Sequence, residues 1–187
     1  VIKSAFKWLI EKLTLNIQPP RLSVNLSGHN LGNKLLLKFI IEQLTATGIS
    51  GDMICFEITE SVLAPDSKTQ IDLLNDLKTA GCSLAIDDFG TGYSSLSYLS
   101  KLPVDNLKID RSFIDDIVHD TNDTAITLAI ISLAQSLKLK VIAEGVENLD
   151  QRLFLQQCSC EYIQGFLVSS SRTDTSFMTF LNQYNSH

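Results

Sequence analysis

Ser83-Leu84-Ala85-Ile86-Asp87-Asp88-Phe89-Gly90-Thr91-Gly92-Tyr93-Ser94-Ser95 reads as an apolar strand that runs out on two adjacent carboxylates and turns into a glycine-hinged loop. Successive residues of a strand face opposite sides of a sheet. Two neighbouring Asp can therefore serve one ligand only if the strand has ended, which puts Asp87 at its tip and Asp88 in the first turn of the loop. Gly90 and Gly92 allow backbone conformations closed to other residues, and Ser94 and Ser95 are placed to cap a helix that starts at Ser95. The same residues would also make an Asx turn and a helix cap with no ligand at all.

Working outward, five more segments repeat the design of an apolar strand closed by a polar residue. Leu22-Ser23-Val24 leads to Asn25, and Met53-Ile54-Cys55-Phe56 leads to Glu57 with Glu60 close behind. Asp105-Asn106-Leu107 leads to Lys108-Ile109-Asp110, Lys140-Val141-Ile142-Ala143 to Glu144, and Glu161-Tyr162-Ile163 to Gln164-Gly165. Between them, Leu35 to Leu44, Gln70 to Thr79, Ala125 to Leu137 and Asp150 to Gln157 carry apolar residues at helical spacing. Strands alternating with helices predict an α/β fold with right-handed crossovers and a mainly parallel sheet. In a barrel of that kind the carboxyl ends of the strands share one face, where ligands collect. Asn25, Glu57, Asp87, Asp88, Lys108, Glu144 and Gln164 would then form one ring of oxygen ligands with a single amine. Taken singly each reads as a cap or a solvated end; six strands obeying one rule point to a site.

Composition sets the outer limits. A chain of 187 residues with 44% hydrophobic content can bury one sizeable core, and no linker, repeat or low-complexity tract divides it. Pro19-Pro20 marks the break between a first helix and the Asn25 strand. No apolar run is long enough to span a membrane and no signal peptide is visible, so this segment reads as cytoplasmic, with no membrane contact of its own. Cys55 and Cys82 sit in apolar runs where free thiols pack as small hydrophobes, and Cys158-x-Cys160 lacks the second pair that zinc would need. None of His29, His119 and His187 ends a strand, so the ring offers carboxylate and amide oxygen, a set suited to Mg²⁺ or Mn²⁺. A net charge of -6 argues against a large nucleic acid as partner. It leaves room for a small phosphodiester, because bound divalent cations would reverse the local field.

In order along the chain stand Ser23-Val24-Asn25-Leu26-Ser27, Glu57-Ile58-Thr59-Glu60, Asp87-Asp88-Phe89-Gly90-Thr91-Gly92-Tyr93-Ser94-Ser95-Leu96, Leu107-Lys108-Ile109-Asp110, Ala143-Glu144-Gly145-Val146-Glu147 and Gln164-Gly165-Phe166. With these segments the chain resembles the EAL domain family, the bacterial cyclic di-GMP phosphodiesterases. The resemblance implies a modified TIM-type (β/α)8 barrel, its first strand antiparallel, of which about six of the eight strands are read here as one partial domain over residues 1–187. The family's opening hairpin, with its Glu-Ala-Leu signature and a nearby Arg, is not found. Val1 falls within what would be the following helix, with Ile2, Ala5, Phe6, Leu9, Ile10 and Leu13 on one face. The chain is therefore expected to be a fragment that lacks one glutamate ligand and a phosphate-holding arginine. Its unpaired sheet edges and the 89–96 loop are expected to favour a homodimer or other self-association.

The resemblance also assigns roles. Asn25, Glu57 and Asp87 would hold one cation, and Asp87 and Asp88 a second, with Asp87 as the bridge. Lys108 would orient or deprotonate the attacking water, and as a base it needs a depressed pKa; its plain alternative is an ion pair with a neighbouring acid. Glu144 would be a further ligand or an assisting base, Gln164 and Asp110 would meet substrate, and Glu60 would anchor the loop after Asp88. Asp110 and Glu147 also stand where a following helix needs a cap. After Phe166 the family's proline is replaced by Ser169-Ser170-Ser171-Arg172, so the loop over the guanine is expected to differ. The activity implied is hydrolysis of cyclic di-GMP to linear pGpG. The alternatives are a degenerate module that binds the nucleotide or a protein without catalysis, and an unrelated sugar-phosphate barrel. The last needs a glycine-rich phosphate loop late in the chain, and Gln164-Gly165-Phe166 makes a poor one.

Overall fold

The computed structural model describes residues 1–63, 67–92 and 96–184. Six strands, β1 (Leu22–Asn25), β2 (Ile54–Thr59), β3 (Ser83–Phe89), β4 (Asn106–Ile109), β5 (Lys140–Ala143) and β6 (Tyr162–Ile163), pair in chain order, every pair parallel. Helices α1 (Ile2–Thr14), α2 (Lys34–Thr47), α3 (Lys68–Thr79), α4 (Leu96–Leu99), α5 (Thr121–Ser136), α6 (Leu149–Gln157) and α7 (Asp174–Tyr184) fill the connections and flanks. The sheet curls as part of an α/β barrel, with β1 and β6 at its two edges. The central strands β2, β3 and β4 are buried on both faces because helices cover one side and the curl encloses the other. Phe56, Ile58, Leu84, Ile86, Leu107 and Ile109 are fully buried.

The strands run further than their apolar residues suggest. Asn25, Glu57, Asp87, Asp88 and Lys108 all lie inside strands rather than beyond them, and β2 continues through Ile58 and Thr59. The reading that β3 must end before Asp88 is corrected by a local irregularity. Asp88 takes a positive φ of 54°, and the β3–β4 register shifts between Ile86 and Phe89. One left-handed residue breaks the alternation, so two successive carboxylates reach the same side while the strand resumes at Phe89. Ser94 and Ser95, proposed as caps, lie outside the described residues, and α4 is described from Leu96.

The buried face of α1 is Phe6, Leu9 and Lys12, while Ile10 and Leu13 are exposed, against the expectation that both join that face. Lys12 belongs there because its ammonium reaches Asp174 at 2.6 Å, and the Trp8 indole N–H donates to the same carboxylate at 2.6 Å. Asp174 opens α7, a helix that the strand-by-strand reading does not anticipate, and this contact ties the first helix to the last. The hydrogen bonds from Lys12 and Trp8 hold the Asp174 carboxyl below the usual range. Asn148, not Glu147, caps α6: its side chain accepts from the Gln151 N–H and the Gln151 side chain returns the bond, a reciprocal capping box.

Candidate functional site

Lys108 stands at the centre of the carboxyl half of the sheet, only 3% exposed. Its Nζ lies 2.6 Å from Glu144, 2.8 Å from Asp87 and 3.2 Å from Glu57. These acids come from the end of β5, from β3 and from β2, so one ammonium gathers groups from both sides of β4. Burial alone pushes the Lys108 pKa down. The hydrogen bonds to Asp87 and Glu144 and the charges of Glu57 and Glu144 outweigh it and hold the group above the ordinary lysine range. That direction is opposite to the depressed pKa a lysine base needs, so in this arrangement the ammonium keeps its proton and acts as a donor.

Asp87, Asp88 and Glu144 bring one carboxylate oxygen each to within 4.8 Å of one another. Burial raises the Asp88 pKa, helped by the neighbouring charges of Asp87 and Asp110 and opposed by Lys108. Burial also raises that of Glu144, against the pull of Lys108 and with a push from Asp87 and Glu57. Among the described residues, Glu57, Asp87 and Glu144 thus share one paired cation, Lys108, and Asp88 adds a further carboxylate beside them. Packed carboxylates that outnumber their cation are what a divalent ion with hard oxygen preference stabilises most.

Asn25 pairs in register with Glu57 and lines, with Asp87 and Asp88, a cleft of about 1080 Å³. Leu35, Leu36 and Phe39 of α2 line the same cleft. Leu35 is 78% exposed, and the sequence reading did not mark it for a site. The available signal was the unbroken run Leu35-Leu36-Leu37 at the start of α2, one apolar residue more than a single buried face requires. Glu60, in the 3₁₀ turn Glu60–Val62, accepts the backbone N–H groups of Gly90 at 2.9 Å and Gly92 at 3.1 Å. A Cβ on Gly92 would sit 2.9 Å from the Glu60 carboxyl carbon, so the loop approaches this acid as closely as it does only without a side chain there.

The remaining residues are placed less centrally. Asp110 accepts the Ser112 N–H at 2.8 Å, capping the turn after β4, and its carboxyl also meets Asp88. Gln164 is exposed after β6; its N–H bonds Ala143 at 2.8 Å and its carbonyl accepts from Val146 at 3.0 Å, beside the segment carrying Glu144. Glu147 pairs with Arg111 at 2.8 Å instead of capping a helix. Cys55, Cys82 and Cys160 are buried free thiols, and Cys160 points its sulfur at the Tyr162 and Val141 carbonyls. Among the described residues the C-x-C pair enters no cluster of metal-binding side chains.

A family model for the EAL domain matches residues 1–171. The chain is 44% identical over 164 residues to the cyclic di-GMP phosphodiesterase NbdA of Pseudomonas aeruginosa, covering 88% of this chain and 21% of that protein. It spans about a fifth of the length of the curated relatives it matches. The fold superposes with a TM-score of 0.85 on a structure described as the PaMucR phosphodiesterase in complex with c-di-GMP, at 36% identity over 93% of this chain and 70% of that one. A manganese and cyclic di-GMP complex of Klebsiella pneumoniae BlrP1 matches with a TM-score of 0.79 and 31% identity, covering 90% of this chain and 43% of that one. On a match that runs from α1 past β6, with its acidic strand ends on one side of a curled parallel sheet, this chain belongs to the EAL domain family.

Proposed function

We propose that the EAL domain to which this chain belongs hydrolyses cyclic di-GMP to linear pGpG, with the cluster around Lys108 as this chain's share of the site. The observation that carries the reading is the meeting of Asp87, Asp88 and Glu144 oxygens within 4.8 Å, beside a buried ammonium and on a cleft that Asn25 also lines. The nucleotide in the PaMucR and BlrP1 complexes and the manganese in the latter support the choice of substrate and of divalent metal.

In this reading Asn25, Glu57, Asp87, Asp88 and Glu144 would hold Mg²⁺ or Mn²⁺, with Asp87 serving both of two ions. When bound, such ions acidify a water and draw charge from the phosphodiester. The chain's own groups do the positioning. Lys108, charged and held by Asp87 and Glu144, donates a hydrogen bond that orients the attacking water or the phosphate oxygen. Glu144, 2.6 Å from Lys108, would serve as a further ligand or take up the proton that water releases. Glu60 holds the Gly90–Gly92 backbone next to Asp88, which fixes the direction of that carboxylate. Asp110 and Gln164 are the residues assigned to contact with the substrate. Water forms the new P–O bond as one 3′-oxygen leaves, which opens the ring to a 3′-hydroxyl and a terminal 5′-phosphate.

The domain is taken as one unit over residues 1–187, working in the cytoplasm, an assignment supported by four free cysteines. Among the described residues no helix is long and apolar enough to cross a membrane. Copies are expected to associate through the edges of β1 and β6 and the 89–96 stretch, of which residues 93–95 lie outside the described residues. Sedimentation as a monomer alone at working concentration would remove that part.

Incubation with cyclic di-GMP and Mn²⁺, followed by chromatography, tests the activity. Linear pGpG is expected from the unmodified chain and not from Asp87→Asn, with the two circular dichroism spectra superimposable. Activity retained in Asp87→Asn overturns the site. Substrate bound by calorimetry but left intact turns the reading to the non-catalytic module.

A further inference from the structure

The loop that carries Glu144 is held against the β4 side of the sheet at two points that no proposed catalytic step uses. Gln151, 4% exposed, spends its whole side-chain amide on this junction. Its Nε2 donates to the carbonyls of Ile114 at 3.0 Å and Asp115 at 3.1 Å, and its Oε1 accepts the N–H groups of Glu147 at 2.8 Å and Asn148 at 3.2 Å. Two donors and two acceptors are satisfied, so a buried amide costs little and fixes one geometry.

Arg111 closes the junction from outside. Its Nε bonds Asp115 at 3.0 Å within its own turn, while a terminal nitrogen reaches Glu147 at 2.8 Å across the gap. Its aliphatic stem lies flat on Gly145: a Cβ there would fall 2.3 Å from Arg111 Cγ, and Gly145 has a φ of +72°. Only glycine fits under this arginine, by space and by backbone conformation alike. On the other side the loop is held by backbone bonds, Val146 N–H to Gln164 at 3.0 Å and Leu167 N–H to Val146 at 3.0 Å. The β4 side is the one on which Lys108 sits, and Glu144 immediately precedes Gly145.

We propose that Arg111 and Gln151 form a clasp that sets the Glu144 carboxylate against Lys108 and the two Asp, which makes both of them positioning residues for the site. The clasp deepens the phosphodiesterase reading and rests on it for the role of Glu144. An exposed arginine contributes little to global stability, so loss of its charge should leave the fold standing. A carboxylate moved by a fraction of an ångström, by contrast, loses affinity for a shared ion.

Three variants separate the parts: Arg111→Met keeps the stem and drops the charge, Arg111→Ala drops both, and Arg111→Lys restores a cation. In Arg111→Ala the melting temperature is expected within about 3 °C of the unmodified chain. Its Mn²⁺ dissociation constant by calorimetry should rise about tenfold. kcat for cyclic di-GMP should fall while KM holds, and metal-free amide exchange at residues 145–148 should accelerate. Arg111→Met should lie between, and Arg111→Lys should recover part of the Mn²⁺ affinity. Unchanged Mn²⁺ affinity together with unchanged exchange at 145–148 in Arg111→Ala overturns the clasp. If the unmodified chain itself neither binds Mn²⁺ nor opens the nucleotide, the phosphodiesterase reading falls instead, and exchange at 145–148 still decides whether Arg111 holds the loop.

Discussion

At the amino end of β4, Asp105 accepts Lys78 Nζ at 2.6 and 2.8 Å and the Leu84 N–H at 2.9 Å; at the carboxyl end, Lys108 alone faces Glu57, Asp87 and Glu144, with Asp88 beside them. The first arrangement is one acid to one base, about a third exposed, with a backbone donor to complete it. The second sets three acids around one buried base, with half-buried Asp88 adding a fourth negative charge beside them. A matched pair is a sufficient end in itself and reads as a joint between α3 and β4. A buried excess of one sign destabilises the fold unless something else supplies the missing charge, and that imbalance separates a site from a staple.

The difference can be pressed hardest with alkali. The amino end also buries Cys55 and Cys82, whose thiol pKa values burial pushes up to about 11, as it does for Cys160. The native thiols hold their protons more tightly than those of the unfolded chain. Their contribution is therefore complete below about pH 9 and is lost as the pH climbs through 11. Each is worth up to about 3 kcal/mol by that point. Chemical unfolding at pH 8 and pH 10.5 should show the loss, and Cys55→Ala with Cys82→Ala should reduce it, leaving the share of Cys160. A pH-independent midpoint would mean that the amino end tolerates uncompensated charge after all.

Next in size is Lys108→Met. Stripping the Lys108 ammonium from its buried carboxylate partners should cost about 3–5 kcal/mol in metal-free protein, with Mn²⁺ restoring part of it. Lys78→Met at the other end should cost about 1 kcal/mol and show no response to Mn²⁺. Equal losses in the two variants, read by thermal melting with and without Mn²⁺, would erase the distinction between site and staple.

The smallest effect is expected from Glu60→Gln, which leaves an acceptor for Gly90 and Gly92 but removes its charge. A loss of about 1 kcal/mol is expected. Hydrolysis should fall by about tenfold or more, through the Asp88 carboxylate that the loop supports. Stability lost without activity would make Glu60 a structural anchor only.

Much of this was legible in the residues because the fold repeats one rule. Asn25, Glu57, Asp87, Lys108 and Glu144 each follow an apolar strand run, and parallel strands carry their carboxyl ends to one side, so chain order alone predicts that they share a face. The two-residue run at Tyr162-Ile163 was found the same way. Asp88 was misread because alternation is an average property of strands, and one residue at φ 54° suspends it. α7 was missed because its partners, Trp8 and Lys12, lie more than 160 positions away. The direction of the Lys108 pKa was also out of reach, since burial and ion pairing push it opposite ways and only distances tell which prevails.

Local pattern was enough for the alternation of strand and helix, the parallel sheet, and the charged groups at its carboxyl end, because periodicity and chain order are properties that every compact arrangement must respect. It took the folded arrangement to ring Lys108 with three acids, to set Glu60 on the Gly90–Gly92 backbone, and to bring Arg111 and Gln151 onto the loop of Glu144. Those are contacts between residues far apart in the chain, set to within an ångström by the curl of the sheet, and no spacing along the backbone encodes them.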